Sequence, residues 1–151
     1  MYKHLLIAVD GSDTSLHALQ HACALAKSTG ASLTLAHVAN PAEYMALAPE
    51  YLQHASYEEA AVEGGKTVLG KAKEKAAEFG VDALKTHLLV ASKGAREMAQ
   101  ELVRYADEQG VDLLVLGTHG RTGLMHLLMG SFAETVIRES HLPLLVLKHA
   151  S

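Results

Sequence analysis

Leu5-Leu6-Ile7-Ala8-Val9-Asp10-Gly11-Ser12-Asp13 is the stretch whose reading decides the fold. Its first five residues are apolar without alternation, the pattern of a strand buried on both faces. Asp10-Gly11-Ser12-Asp13 then supplies turn formers and helix-capping oxygens. Leu16, Leu19, Cys23 and Ala26 recur at helical spacing, and Gly30 stops that helix. Leu33 to Val38 is a second short apolar strand. Strand, helix and strand within about forty residues predict a parallel βαβ unit.

Downstream, Ala39 to Ala55 is irregular, with Pro41, Pro49 and mixed polar residues. A connection of that length is a candidate functional lid. Ser56 and Glu59 have capping-box spacing, ahead of a helical stripe through Val68, Leu69, Ala72, Ala76 and Phe79 that Gly80 ends. Leu84 to Val90 predicts a third strand, and its Lys85, Thr86 and His87 predict a sheet edge. A further helix opens at Gly94, carries Met98, Leu102, Val103 and Ala106, and stops at Gly110. Asp112 to Leu116 is the fourth strand, a helix spans residues 131–139, and Leu142 to Leu147 is the last strand. The expected fold is α/β: one domain over residues 1–151, with a five-stranded, mostly parallel, Rossmann-like sheet and helices on both faces.

Composition agrees. A chain of 151 residues with 49% hydrophobic and 20% charged residues is globular and fits one core. Aromatics are 5% and Trp is absent, so Leu, Val, Ile and Ala must build the interior. The net charge is −4, and Lys66, Lys71, Lys73 and Lys75 are interleaved with Glu63, Glu74 and Glu78. That is a solvated helix face, not the clustered cationic surface that nucleic acid requires. Cys23 is the single cysteine and falls on the apolar helix stripe, where a buried inert thiol is expected. The apolar run at the start is too short for a signal core or a membrane span, so no membrane insertion and a cytoplasmic location are expected.

In an open parallel sheet, ligands bind beyond the carboxyl ends of the strands, where the strand order reverses. Two loops carry unusual residues at such ends: Asp10 after the first strand, and Gly117-Thr118-His119-Gly120-Arg121-Thr122-Gly123 after the fourth. Glycines let backbone approach a ligand and converge its N–H groups on an anion. Gly130-Ser131 stands at a helix start, where free N–H groups favour phosphate. This is no Walker loop, since no Gly-Lys-Ser/Thr follows. Plainer alternatives stand beside each feature. Gly117 and Gly120 can form an ordinary turn, Ser131 with Glu134 can form a capping box, and Asp10 can cap the first helix.

The pattern Gly-x2-Gly-x9-Gly-Ser, after an apolar strand and before a helix and final strand, resembles the ATP-binding motif of the universal stress protein family. Lys3 to Ser12, Leu35-Ala36-His37-Val38 and Leu142 to Leu147 are similar to its first, second and last strands, and the match runs from residue 3 to residue 148. The resemblance implies an adenine nucleotide alpha hydrolase-like fold with a nucleotide at the sheet's edge. It places Ala8 and Val9 beside the base and gives Val38 backbone hydrogen bonds to the base edge. It makes Asp10 a partner of the ribose hydroxyls or of a phosphate-bound Mg2+ or Mn2+. Leu116, Gly117, His119, Gly120, Gly130, Ser131 and Phe132 would surround ribose and phosphates, with Arg121 a flexible phosphate contact. The extra Gly123 departs from the pattern. The resemblance also implies a homodimer through the last strand, a role in stress response and a regulatory protein partner.

The expected function is therefore an ATP-dependent regulatory switch with at most slow hydrolysis and no catalytic residues. An ATP-using transferase or hydrolase is the rival, although no Walker lysine, nucleophile–base pair or second metal carboxylate is present. A dimeric scaffold for another adenine nucleotide is a second rival, and a flavin binder is disfavoured by the few aromatics. His17 and His21 have metal-ligand spacing but no evident third ligand. Arg138 is expected to serve the helix dipole, and Asp13 the first helical turn. Met125, Leu127, Leu128 and Met129 are expected to anchor their loop.

Overall fold

The computed structural model describes residues 1–47, 54–119 and 129–148. Strands β1 (His4–Ala8), β2 (Ser32–Ala39), β3 (Lys85–Val90), β4 (Leu113–Gly117) and β5 (Leu144–Leu147) form one sheet in the order β3-β2-β1-β4-β5. Every neighbouring pair is parallel. The helices are α1 (Asp13–Thr29), α2 (Pro41–Leu47), α3 (His54–Glu78), α4 (Ala95–Glu108) and α5 (Ser131–Glu139).

Strand residues alternate between two faces, and both faces are covered. Leu5, Ile7 and Val9 pack with Leu33, Leu35, Leu113 and Val115 beneath α1 and α3. Leu6, Ala36, Val38, Leu114 and Leu116 pack beneath α4 and α5. The unbroken apolar run of β1 follows from this: a central strand has no wet face. β3, with its Lys85 and Thr86 exposed, is the edge that its polarity predicted. Among the described residues no helix is long and apolar enough to cross a membrane.

Several local expectations change. Residues 41–47, expected to be irregular, form α2. Asn40 starts it, its Oδ1 accepting from Ala42 N and its carbonyl from Glu43 N, and Pro41 sits at the first helical position where a missing N–H costs nothing. The rest of the expected lid, residues 48–53, lies outside the described residues. α3 begins at His54, so Ser56 is already helical and does not start it. In α1 the inward face is Thr14, Ser15, Ala18, Leu19, Ala22, Cys23 and Ala26, while Leu16 is 38% exposed. Leu16 lies two residues from Ala18, about 200° around the helix. β4 begins at Leu113 and not at Asp112, and β5 at Leu144 and not at Leu142. Pro143 still joins the ladder as an acceptor, taking Leu114 N at 3.0 Å.

The interleaved charges of α3 behave as read, pairing Lys66 with Glu63 and Lys75 with Glu78 along exposed helix surface. Cys23 is fully buried, and burial pushes its thiol up to about 11, with the Lys27 charge pulling weakly the other way. It is an inert packing group.

Candidate functional site

The chain moves outward from β1 through β2 to β3, then crosses back to β4 and β5 on the other side of β1. The order therefore reverses between β1 and β4, and the carboxyl ends of these two strands are where an open parallel sheet places its ligands. Asp10 follows β1 there, and Gly117 ends β4.

The turn after β1 is built by its own side chains. Ser12 is the N-cap of α1, its Oγ accepting from Ser15 N at 3.1 Å and donating to Asp10 Oδ1 at 2.6 Å. Asp10 Oδ1 also accepts from Ser12 N at 2.9 Å, and Asp10 N donates to Ser15 Oγ at 3.1 Å. Gly11 takes φ +84°, a left-handed conformation that a side chain would strain. The carboxylate of Asp10 thus braces the cap, which Ser12 itself provides. Asp13 stands in the first turn of α1, where the dipole favours an acid.

The end of β4 is joined to α5 by backbone. Thr118 N donates to Leu147 O at 2.9 Å, and Gly130 N donates to Thr118 O at 2.7 Å. Gly130 is the N-cap residue of α5, and no side-chain cap is formed. The capping box that was the plainer alternative for Ser131 and Glu134 is not formed, because Ser131 is already helical and Glu134 pairs with Arg138 at 2.6 Å. The amides of Ser131, Phe132 and Ala133 are thus first-turn donors, the groups that an α-helix leaves without intrahelical acceptors. Ser131 is exposed and Phe132 half-buried, the latter packed against the α4–α5 side of the core.

The two described glycines of the motif differ in cause. A Cβ on Gly117 would stand 2.5 Å from Thr14 Cγ2, so glycine is required for α1 to approach β4. A Cβ on Gly130 would meet nothing closer than Thr118 O at 3.4 Å, an ordinary contact, and its φ of −75° suits any residue. Neither packing nor backbone conformation demands glycine at 130. His119 is buried at the base of the loop, its Nδ1 3.1 Å from Thr118 Oγ1. Gly120, Arg121 and Gly123, with Met125, Leu127 and Leu128, lie outside the described residues, while Met129 packs against the α4–α5 side of the core.

Ala8 pairs with Ala36, so Val38, two residues further along β2, lies level with Asp10 and not with Ala8. Leu116 is buried beneath α4 and α5. The structure therefore gathers Ala8, Val9, Asp10, Val38, Leu116, Gly117, His119, Gly130, Ser131 and Phe132 around the carboxyl ends of three adjacent strands.

Four residues of this region escape a reading by motif. Thr14 sets the spacing of α1 to β4, Ser15 holds the Asp10 amide, Thr118 ties α5 to β4, and His37 Nδ1 donates to Val9 O at 2.7 Å. Only His37 carries a signal in sequence, a histidine inside an apolar strand.

A metal would have to rest on few protein ligands. Among the described residues no group of three or more His, Cys, Asp or Glu could hold an ion. His17 and His21 meet edge to face at 4.7 Å without a third partner of that kind.

The universal stress protein family model matches residues 1–148. The chain belongs to the universal stress protein family. Universal stress protein MJ0531 of Methanocaldococcus jannaschii is 38% identical over 98% of this chain and 83% of its own length. Universal stress protein YxiE of Bacillus subtilis is 36% identical over 98% of this chain and all of its own. Among solved structures, that of MJ0577 aligns with TM-score 0.78 and 29% identity, covering 100% of this chain and 99% of that one. A universal stress protein solved in complex with cAMP aligns with TM-score 0.69 and 27% identity, covering 99% and 98%.

Proposed function

We propose that this universal stress protein binds ATP at the carboxyl ends of β1 and β4 and acts as a nucleotide-dependent regulatory switch. The observation that carries the reading is Gly130. It is the one described motif glycine that packing leaves unexplained, and it opens a helix that starts beside the carboxyl end of β4, next to the strand-order reversal. Phosphates would lie on the Ser131, Phe132 and Ala133 amides, with Gly120 and Arg121 completing the loop. Asp10 would meet the ribose or a phosphate-bound Mg2+ or Mn2+, and Val38 would pair with the base. His119 would support the loop from below. The metal, when bound, neutralises phosphate charge.

Nothing in the described site pairs a nucleophile with a base, so binding without rapid turnover is the expected activity. ATP occupancy would then alter contacts with a regulatory protein in the cytoplasm, where a lone buried thiol is at home. The half-buried Leu144, Leu145 and Val146 of edge strand β5 support pairing with a second copy. Cyclic AMP is the second reading, favoured by the neighbour that was solved with it.

Calorimetry with ATP, ADP, AMP and cAMP tests the site, together with chromatography of nucleotide released from denatured protein. At a hundredfold excess over Kd, a bound nucleotide stabilises the fold by about 2.7 kcal/mol. Gly130→Val and Ser131→Asp should each abolish that melting shift and leave the unliganded protein folded. Ser131→Asp is diagnostic, because an acid at a helix start helps the helix and repels phosphate. An unchanged shift in both variants would remove the α5 terminus from the site. Turnover near ordinary enzyme rates, ~1–10³ per second, would replace the switch with an enzyme.

A further inference from the structure

In a parallel ladder a residue turns both its N–H and its C=O toward one neighbour, and successive residues alternate. Two bonds set that alternation at the end of β2. Ala36 O accepts from Val9 N at 2.8 Å on the β1 side, and Ala39 O accepts from Ala91 N at 3.0 Å on the β3 side. Val38 is in phase with Ala36, so its N–H and C=O both point toward β1. The next rung would run from Val38 N–H to Val9 O. Among the described hydrogen bonds that rung is not formed.

Val9 O accepts instead from His37 Nδ1 at 2.7 Å. A carbonyl only accepts, so Nδ1 carries the proton. The seat of the imidazole depends on α3. Gly65 lies over it, and a Cβ there would stand 3.1 Å from His37 Cδ2 and 2.5 Å from Leu88 Cδ1. His37 is 5% exposed, inside a strand whose other inward residues, Leu33 and Leu35, are aliphatic. Its Nδ1 places a donor on the Val9 carbonyl, which an aliphatic side chain cannot do.

We propose that His37 is a positioning residue: it ends the β1–β2 ladder one rung early and leaves the Val38 main chain to pair with the edge of a bound adenine. This role rests on the nucleotide reading above. Adenine offers an acceptor at N1 and a donor at its 6-amino group, matching a peptide N–H and C=O that point the same way. Hypoxanthine reverses both. Val38 is 7% exposed, so an unpaired amide there is poorly hydrated and gains from a ligand acceptor.

Two measurements on the unsubstituted protein, His37→Leu and His37→Asn test the role. Amide hydrogen exchange without ligand should show Val38 exchanging much faster than Ala36. In His37→Leu the rung closes, and Val38 becomes protected. Calorimetry with ATP and ITP should show ATP affinity falling about tenfold in His37→Leu, with ITP affinity unchanged, so that the preference for ATP shrinks. His37→Asn retains an N–H near the Nδ1 position and should retain the preference. A Val38 amide as protected as Ala36 in the unsubstituted protein overturns the role. So does a folded His37→Leu with undiminished preference for ATP. Should His37→Leu not fold, the exchange pattern of the unsubstituted protein and the His37→Asn preference still decide. Failure of the unsubstituted protein to bind either nucleotide overturns the nucleotide reading, and this role with it.

Discussion

At Gly117 the missing Cβ is a matter of packing before it is one of binding. Thr14 Cγ2 occupies the space a side chain would need. Gly117→Ala should therefore destabilise the protein by about 1–3 kcal/mol, the usual effect of overpacking a filled site. Chemical denaturation would measure it. Adding Thr14→Ser, which removes the offending methyl, should recover most of the loss, and a purely additive double variant would refute the contact. Residue patterns exposed the motif's glycines but not their separate causes. Gly117 and Gly130 look alike in sequence, and only the position of α1 distinguishes a glycine forced by a neighbour from one left open. Thr14 and Ser15 were illegible for the same reason, since each acts through a partner that the fold brings to it.

Between elements, Asp112 is the clearest clip. Its Oδ2 accepts from Lys3 N at 2.8 Å and its Oδ1 from His4 N at 3.0 Å, fastening the start of β1 to the start of β4. Burial works to raise its pKa, but the backbone amides of His4, Lys3 and Asp112 itself, with the His4 charge, outweigh it and hold the carboxyl below its ordinary value. A carboxyl whose folded pKa is depressed adds stability above its unfolded pKa of about 3.9 and loses it as the pH falls through the folded value. Asp112→Asn should thus lower stability at neutral pH and flatten its decline below about pH 4. Urea midpoints collected from neutral to acid pH would show both, and an unaltered acid limb would refute the clip. In sequence, Asp112 reads as the first residue of a strand, because its partners lie more than a hundred residues away. α2 was missed for a related reason: its seven residues are too few for helical periodicity to be legible.

For the whole molecule, strand direction decides how copies can meet. Pro143 O and Leu147 O both face β4, so Leu144 and Val146 turn their main-chain groups toward the open edge. Proline is tolerated where an edge N–H points outward. Val146→Pro should leave the protomer folded and remove a bond from any sheet continued across two copies. For the dimer proposed through β5, light scattering should show the variant as monomer at micromolar concentration where the unsubstituted protein is dimeric, and equal masses would exclude β5 as the interface.

The five strands, their parallel direction and the helices α1, α3, α4 and α5 between them were legible in local sequence, because hydrophobic period and turn chemistry act over a few residues. Family membership was legible too, carried by three separated segments in register. Which amides remain available, which glycine is forced by packing and which histidine takes a ladder acceptor were decided only in three dimensions. Each depends on atoms that meet through the crossovers between strands, and no local pattern in the chain encodes such a meeting.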